Sequence, residues 1–182
     1  MDAAILEQSA PMMALESELR AAPFAPKIEW DLLPRRRDRL HATVVGDMGT
    51  GEAPRIEETA LRALRNIGPI EVELRGLFSG NINVGRLYLR LYPQCRSGNN
   101  LLHSVQRALG APVTKIYLVG LYNLTDDLDA HEAEALHDII TAWWGRTILR
   151  FTTTTLWLLG VRDDLVLDAD TPRDVALTDN SQ

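Results

Sequence analysis

Ile70-Glu71-Val72-Glu73-Leu74-Arg75-Gly76-Leu77-Phe78 and, after seven intervening residues, Arg86-Leu87-Tyr88-Leu89-Arg90-Leu91-Tyr92 decide the fold. In the first run Ile70, Val72 and Leu74 alternate with Glu71, Glu73 and Arg75. In the second, Leu87, Leu89 and Leu91 alternate with Arg86, Tyr88, Arg90 and Tyr92. A period of two is the pattern of a half-buried strand, because successive side chains point to opposite faces. The glycine-containing turn over 80–85 joins the two runs into an expected hairpin. Upstream, Ala60, Leu61, Leu64 and Ile67 recur at helical spacing, and Gly68-Pro69 closes a helix over 57–67. Downstream, a short helix is expected over 101–109, ended by Gly110. It is followed by a largely apolar strand over 113–122, covered on both faces. Asp129 and Glu132 stand at the spacing of a capping box and start a helix that runs to Trp144 and ends at Gly145. A long strand or pair of strands follows over 148–161, then a turn at Arg162-Asp163-Asp164 into Leu165-Val166-Leu167. Ahead of all these, the β-branched content over 40–45 marks a short strand. The order is β-α-β-β-α-β-α-β-β. No two helices are consecutive and the central pair alternates, which excludes a helical bundle and disfavours a wholly parallel doubly wound sheet. The expected class is α+β, a mixed or antiparallel sheet with helices on its outer face.

The chain has 182 residues, enough for one domain of about 100–200 residues with an extension. Residues 1–30 are loosely patterned, with a short helix expected over 12–20 among Pro11, Pro23 and Pro26; they are read as an N-terminal extension. The domain proper is placed at 31–168, and 169–182 as a polar, frayed tail. The net charge of −6 argues against coating long duplex nucleic acid, which calls for a basic face. A small basic pocket for a nucleotide or an RNA terminus is compatible with it. The lone Cys95 has no internal disulfide partner and suits a reducing compartment. No run approaches the ~18 apolar residues of a membrane span, and Met1-Asp2 opens without the basic stretch and apolar core of a secretory signal. The expectation is a cytoplasmic protein with no membrane partner. The sequence carries no signal of oligomeric state.

Chemistry is expected at Arg39-Leu40-His41-Ala42-Thr43. On a strand His41 and Thr43 would share one side, setting an imidazole beside a hydroxyl. The imidazole can take or give a proton near neutral pH. The hydroxyl can hold a phosphate oxygen, and Arg39, in the basic run that starts at Arg35, can neutralise its charge. The cluster Gly46-Asp47-Met48-Gly49-Thr50-Gly51 lacks the lysine of a phosphate-binding P-loop and is read as a flexible loop. No metal and no cofactor are expected. The acidic cluster Asp126, Asp127, Asp129 and Glu132 lacks the glycine and terminal glutamate of a calcium loop, and a helix N-terminus accounts for it.

The segment Arg37-Asp38-Arg39-Leu40-His41-Ala42-Thr43-Val44-Val45-Gly46, followed by a loop and a helix, resembles the first motif of the 2H phosphoesterase superfamily. That superfamily includes the bacterial 2'-5' RNA ligases and RNA cyclic phosphodiesterases. The order of elements over about 30–168 is similar to theirs. The resemblance implies two pseudo-symmetric lobes, each giving a His-x-Thr/Ser to a central groove, with one histidine as general base and the other as general acid. It implies His41 and Thr43 as the catalytic pair. The second motif departs from the pattern: it falls on 113–122, where neither Lys115-Ile116-Tyr117 nor Tyr117-Leu118-Val119 supplies a histidine. Lys115, Tyr117 and Tyr122 are the residues that could substitute, and losing a positioned acid or base costs about 10²–10⁴ in rate. His103 precedes a hydroxyl directly, on an expected helix, and His131 and His137 lie on different faces of another.

Tyr88 and Arg90 are further substrate-binding candidates, since an aromatic beside an arginine can stack a base and hold its phosphate. Tyr and Arg are equally ordinary on an exposed strand face. Of Trp143 and Trp144, adjacent on one helix end, one must be the more exposed. Three functional readings stay open: a phosphodiesterase acting on 2'-5' or 2',3'-cyclic phosphodiesters of RNA ends or nucleotides; a degenerate relative that binds such an end without turnover; and an unrelated α+β protein.

Overall fold

The computed structural model describes residues 1, 3–46, 48, 55–80, 84–163 and 165–178. The centre of the expected 80–85 turn, most of the glycine cluster over 46–51, Asp164 and the last four residues of the tail lie outside the described residues. In chain order the elements are α1 (Ala3–Glu7), α2 (Ala10–Ala21), α3 (Leu32–Arg35), α4 (Glu58–Arg65), β1 (Ile70–Ser79), β2 (Arg86–Pro93), β3 (Cys95–Arg96), β4 (Asn99–Asn100), α5 (Leu101–Ala108), β5 (Leu118–Asn123), α6 (Ala130–Trp143), β6 (Thr147–Thr153), β7 (Thr155–Leu158) and β8 (Arg173–Ala176). The protein is α+β, with antiparallel strands and helices. Among the described residues no helix is long and apolar enough to cross a membrane.

The chain divides into two compact, interleaved units. The first comprises Met1–Ala42, Glu73–Tyr92 and Leu118–Arg150; the second comprises Thr43–Val72, Pro93–Tyr117 and Phe151–Gln182. The first unit holds most of a four-stranded sheet of order β5-β2-β1-β6. Burial along β1 alternates from Ile70 to Leu74, and the apolar set Leu74, Leu77, Leu87, Leu89, Val119 and Leu121 is buried. Residues 1–30 contribute to this unit's core: Ala3, Leu6, Met12, Leu15, Leu19, Phe24 and Ile28 are all buried. Pro11 does not interrupt α2. It sits in the first turn, where its missing N–H would have had no helical partner, and the Ser9 side chain accepts from Met12 N at 3.1 Å to cap the helix. At α6 the capping box is complete: Glu132 N donates to Asp129 Oδ1 at 2.9 Å, and Asp129 N donates to Glu132 Oε2 at 2.8 Å.

The second unit has α4, α5, the ribbon of β3 with β4, and the ribbon of β7 with β8. Helix α4 packs on α5 and β8, around buried Leu64, Leu101, Leu102, Val105 and Leu177. Asn100 caps α5, its Oδ1 accepting from Leu102 N at 2.9 Å and His103 N at 3.3 Å.

Four expectations are corrected. The strand over 40–45 reduces to one isolated bridge, Ala42 to Val119; the Val44 carbonyl accepts instead from the Gln106 side-chain amide at 2.8 Å. The strand over 113–122 begins only at Leu118, with Val113 and Ile116 exposed and Thr114 held by side chains of α5. Leu165-Val166-Leu167 forms no strand, because the Asp163 carboxylate gathers the N–H groups of Leu165 and Leu167 into a turn. The tail after Asp170 is not frayed throughout: β8 pairs antiparallel with β7, Thr155 facing Ala176 and Leu158 facing Arg173.

Candidate functional site

His41 belongs to the first unit, at the end of the segment that leaves α3 and bridges to β5. Its ring is half-buried. Nδ1 lies 2.7 Å from the Arg39 carbonyl oxygen. A carbonyl only accepts, so Nδ1 carries the proton, and Nε2 keeps its lone pair. Among the described residues nothing hydrogen-bonds Nε2. Burial lowers the imidazole's pKa from its ordinary value; the Arg39 hydrogen bond opposes this, and the Arg36 charge lowers it further. The outcome is an imidazole that favours its neutral form at pH 7, held through one nitrogen and, among the described residues, without a hydrogen bond at the other.

The charge beside it is Arg36 rather than Arg39. Arg36 is buried and directs Nη1 toward the Gly120 carbonyl at 3.4 Å. Its neighbours in the basic run face elsewhere, Arg35 to Glu29 and Asp31, Arg37 to Glu7. β5 makes room for it. A Cβ at Gly120 would stand 3.4 Å from Arg36 Nη1 and 3.5 Å from Arg86 Cδ, so any side chain beyond a methyl would displace the guanidinium. The ladder also slips here: Leu87 faces Tyr122 but Tyr88 faces Gly120, which leaves Leu121 as the extra residue of a bulge. Glycine inside an apolar strand was the available signal for a close approach, but nothing in the sequence says which arginine arrives.

The other expected site residues are divided between the two units. The boundary between units falls between Ala42 and Thr43, and Thr43, Lys115 and Tyr117 belong to the second unit. Thr43 and Lys115 are exposed. Tyr117 is buried, its hydroxyl 3.1 Å from Gln106 Oε1 and 3.0 Å from the Thr114 carbonyl oxygen. Burial raises its pKa, against the pull of those two bonds. Tyr122, in the first unit, is buried edge-on against Trp30 at 5.1 Å between ring centroids, and burial pushes its hydroxyl far above the usual tyrosine range. Tyr88 is buried, so its ring face is not presented to a base. Arg90 is half-buried and stacks instead over Tyr92 and Trp144. Of the tryptophan pair, Trp143 is buried and donates to Glu18 at 2.7 Å, while Trp144 is 48 % exposed.

The buried polar centre of the second unit, Gln106, was not singled out in the sequence. Its Nε2 donates to the Val44 carbonyl and to Thr114 Oγ1, both at 2.8 Å; its Oε1 accepts from Thr114 N at 3.3 Å and from the Tyr117 hydroxyl. A glutamine on an amphipathic helix gives no hint of this. His103, one turn earlier, lies with Nε2 3.0 Å from the Thr114 carbonyl oxygen. Among the described residues no group of three or more His, Cys, Asp or Glu side chains could hold a metal ion. Compared with protein-family models, curated proteins and solved structures, the chain matches none of them.

Proposed function

We propose that this chain is a 2H-like phosphodiesterase acting on 2'-5' or 2',3'-cyclic phosphodiesters of RNA ends or nucleotides, with His41 as its one histidine for acid–base work. The observation that carries the proposal is the state of that imidazole. It favours the neutral form, is anchored through Nδ1 to the Arg39 carbonyl at 2.7 Å, and has no hydrogen bond at Nε2 among the described residues. In hydrolysis of a cyclic phosphodiester, Nε2 takes a proton from water. The water oxygen then bonds to phosphorus, and the bond from phosphorus to one ribose oxygen breaks. That leaving oxygen takes its proton from solvent, because in-line displacement puts it on the far side of the phosphorus from His41. The buried Arg36 guanidinium adds a fixed positive field where the anionic phosphorus centre gains charge. Thr43 is the phosphate-holding hydroxyl that the motif implies and Arg39 an electrostatic helper, while Lys115 is a candidate on the segment where the second histidine is missing. The partner is a nucleotide or RNA terminus, and the reducing cytoplasm is the compartment that the exposed free Cys95 suits.

A second reading, binding without turnover, is favoured by the tyrosines. Tyr117 and Tyr122 are the residues the sequence offered as a substitute acid, and burial raises both pKa values. A phenol held more weakly acidic than usual is a poor donor to a leaving alkoxide. Turnover with one positioned group falls about 10²–10⁴ below that of a two-histidine site. The deciding experiment incubates the protein with 2',3'-cyclic nucleotides and 2'-5'-linked oligonucleotides, wild type against His41→Ala. Hydrolysis lost in the variant supports the enzyme. Saturable binding without hydrolysis supports the binder. Absence of both removes the phosphoester reading.

A further inference from the structure

The first unit carries a second constellation, on the surface formed by β1, β2, β6 and the end of α6. Arg90 stands with Cζ 5.1 Å from the Trp144 ring centroid and 5.2 Å from that of Tyr92. Arg75 lies over the same Tyr92 at 4.6 Å. Phe78 backs Trp144 with centroids 6.3 Å apart. Arg150 joins Arg75 at Glu73, at 3.4 Å and 2.7 Å respectively. Two guanidinium groups therefore share one carboxylate and a third, Arg90, lies over aromatic rings, on a chain whose net charge is −6. Among the described residues no carboxylate pairs with Arg90.

Trp144 is held in place by the backbone. Gly76 has φ of 72°, and a Cβ there would lie 2.4 Å from the Trp144 carbonyl oxygen, so only glycine lets the α6–β6 connection settle onto β1. Gly76 N donates to the Arg146 carbonyl at 3.0 Å, closing the same connection. The indole is 48 % exposed at a fixed position, with a planar cation 5.1 Å from its centroid. This arrangement suits a ligand with a flat apolar face next to an anion.

We propose that this surface binds a single-stranded RNA segment, one base stacking on Trp144 while the adjoining phosphate meets Arg90, with Arg75 and Arg150 extending the cationic track. An acidic peptide would satisfy the arginines and leave the indole unused; a nucleotide unit uses both. The sequence pairs Arg90 with Tyr88 as a stacking couple, whereas the structure pairs it with Tyr92 and Trp144. The proposal does not rest on His41, and its ligand needs no terminal or cyclic phosphate.

The test is fluorescence anisotropy of a labelled ten-residue oligouridylate without terminal phosphates, at low salt. Wild type is expected to bind saturably, with intrinsic tryptophan quenching. Trp144→Ala is expected to weaken binding about tenfold, on the scale of one lost base stack. Arg90→Lys keeps the charge but loses the planar face, and is expected to weaken binding about threefold. Thermal melts check that both variants are folded, and Trp144→Phe, which keeps a smaller ring, gives an intermediate affinity if stacking is the cause. No saturable binding by wild type overturns the proposal. So does equal affinity across the variants, or competition by polyglutamate as effective as that by unlabelled oligouridylate, which marks a surface that reads charge alone.

Discussion

Gln106 and His41 are both polar side chains taken wholly or partly out of water, and they are treated in opposite ways. The Gln106 amide is fully buried and every donor and acceptor on it is used, within the second unit. The His41 imidazole is half-buried and only Nδ1 is used. A closed network holds backbone in place: Gln106 fixes Val44 and Thr114, segments that have no ladder to hold them. A ring bonded on one side is oriented while its second nitrogen keeps its lone pair. Burial of polarity is therefore not itself the mark of a site; the unspent hydrogen-bonding capacity is.

The largest effect should come from opening the closed network. Gln106→Leu removes the partner of the Val44 carbonyl and of the Thr114 amide and hydroxyl, while the Tyr117 hydroxyl keeps the Thr114 carbonyl. Thr114 is exposed and Val44 half-buried, so water recovers part of the loss and about 2 kcal/mol of stability is lost. Gln106→Glu keeps the volume but cannot donate, and should fall in the same direction. Urea unfolding midpoints measure both. If His41→Ala costs more stability than Gln106→Leu, the contrast between structural and available polarity is broken.

A smaller effect sharpens the other side of the comparison. Because burial and Arg36 depress the His41 pKa, the unfolded chain takes up a proton below about pH 6.5 that the folded chain refuses. Stability linked to this residue is therefore intact above pH 6.5 and is lost as pH falls through the folded-state value. His41→Asn should remove that dependence while changing stability at pH 7.5 by less than about 1 kcal/mol. Unfolding midpoints for both proteins at pH 5 and 7.5 provide the measurement. An NMR titration placing His41 above 6.5 would contradict it, and with it the neutral base.

What could be read in advance divides along the same line. Local rules made the helices legible. Asp129 and Glu132 announced α6, and Gly68-Pro69 and Gly110 marked where α4 and α5 give out. The alternation over 70–78 and 86–92 marked β1 and β2 because a period of two needs no partner to be recognised. Long-range pairing was not legible. Nothing in Arg173–Ala176 says that it meets Thr155–Leu158, and the β-branched residues over 40–45 were overruled by a glutamine sixty residues away. At the candidate site the imidazole was visible as a type and position. Its tautomer depends on the Arg39 carbonyl and its charge state on Arg36, both consequences of folding. The aromatic neighbours of Arg90 were not legible, since the sequence set it beside Tyr88 and Trp144 arrives from the far end of α6.

Glu73 lies between the two extremes and gives the subtlest test. Its carboxylate pKa falls from 4.5 to about 2, first because Arg75 grips it with a two-pronged hydrogen bond, then through the Thr147 hydroxyl and the charges of Arg75 and Arg150. A depressed carboxylate contributes stability that is complete above about pH 4.5 and disappears as pH falls toward 2. Arg75 and Arg150 are partly or largely exposed, so the network is worth only about 1 kcal/mol at pH 7. Glu73→Gln should lose that amount and flatten the acid limb of the stability curve. The same change frees two guanidinium groups beside Arg90, so oligouridylate should bind more tightly to the less stable protein. A fall in both stability and affinity would mean that Glu73 positions the arginines for RNA instead of competing with it, and only paired unfolding and anisotropy measurements on the one variant separate the two.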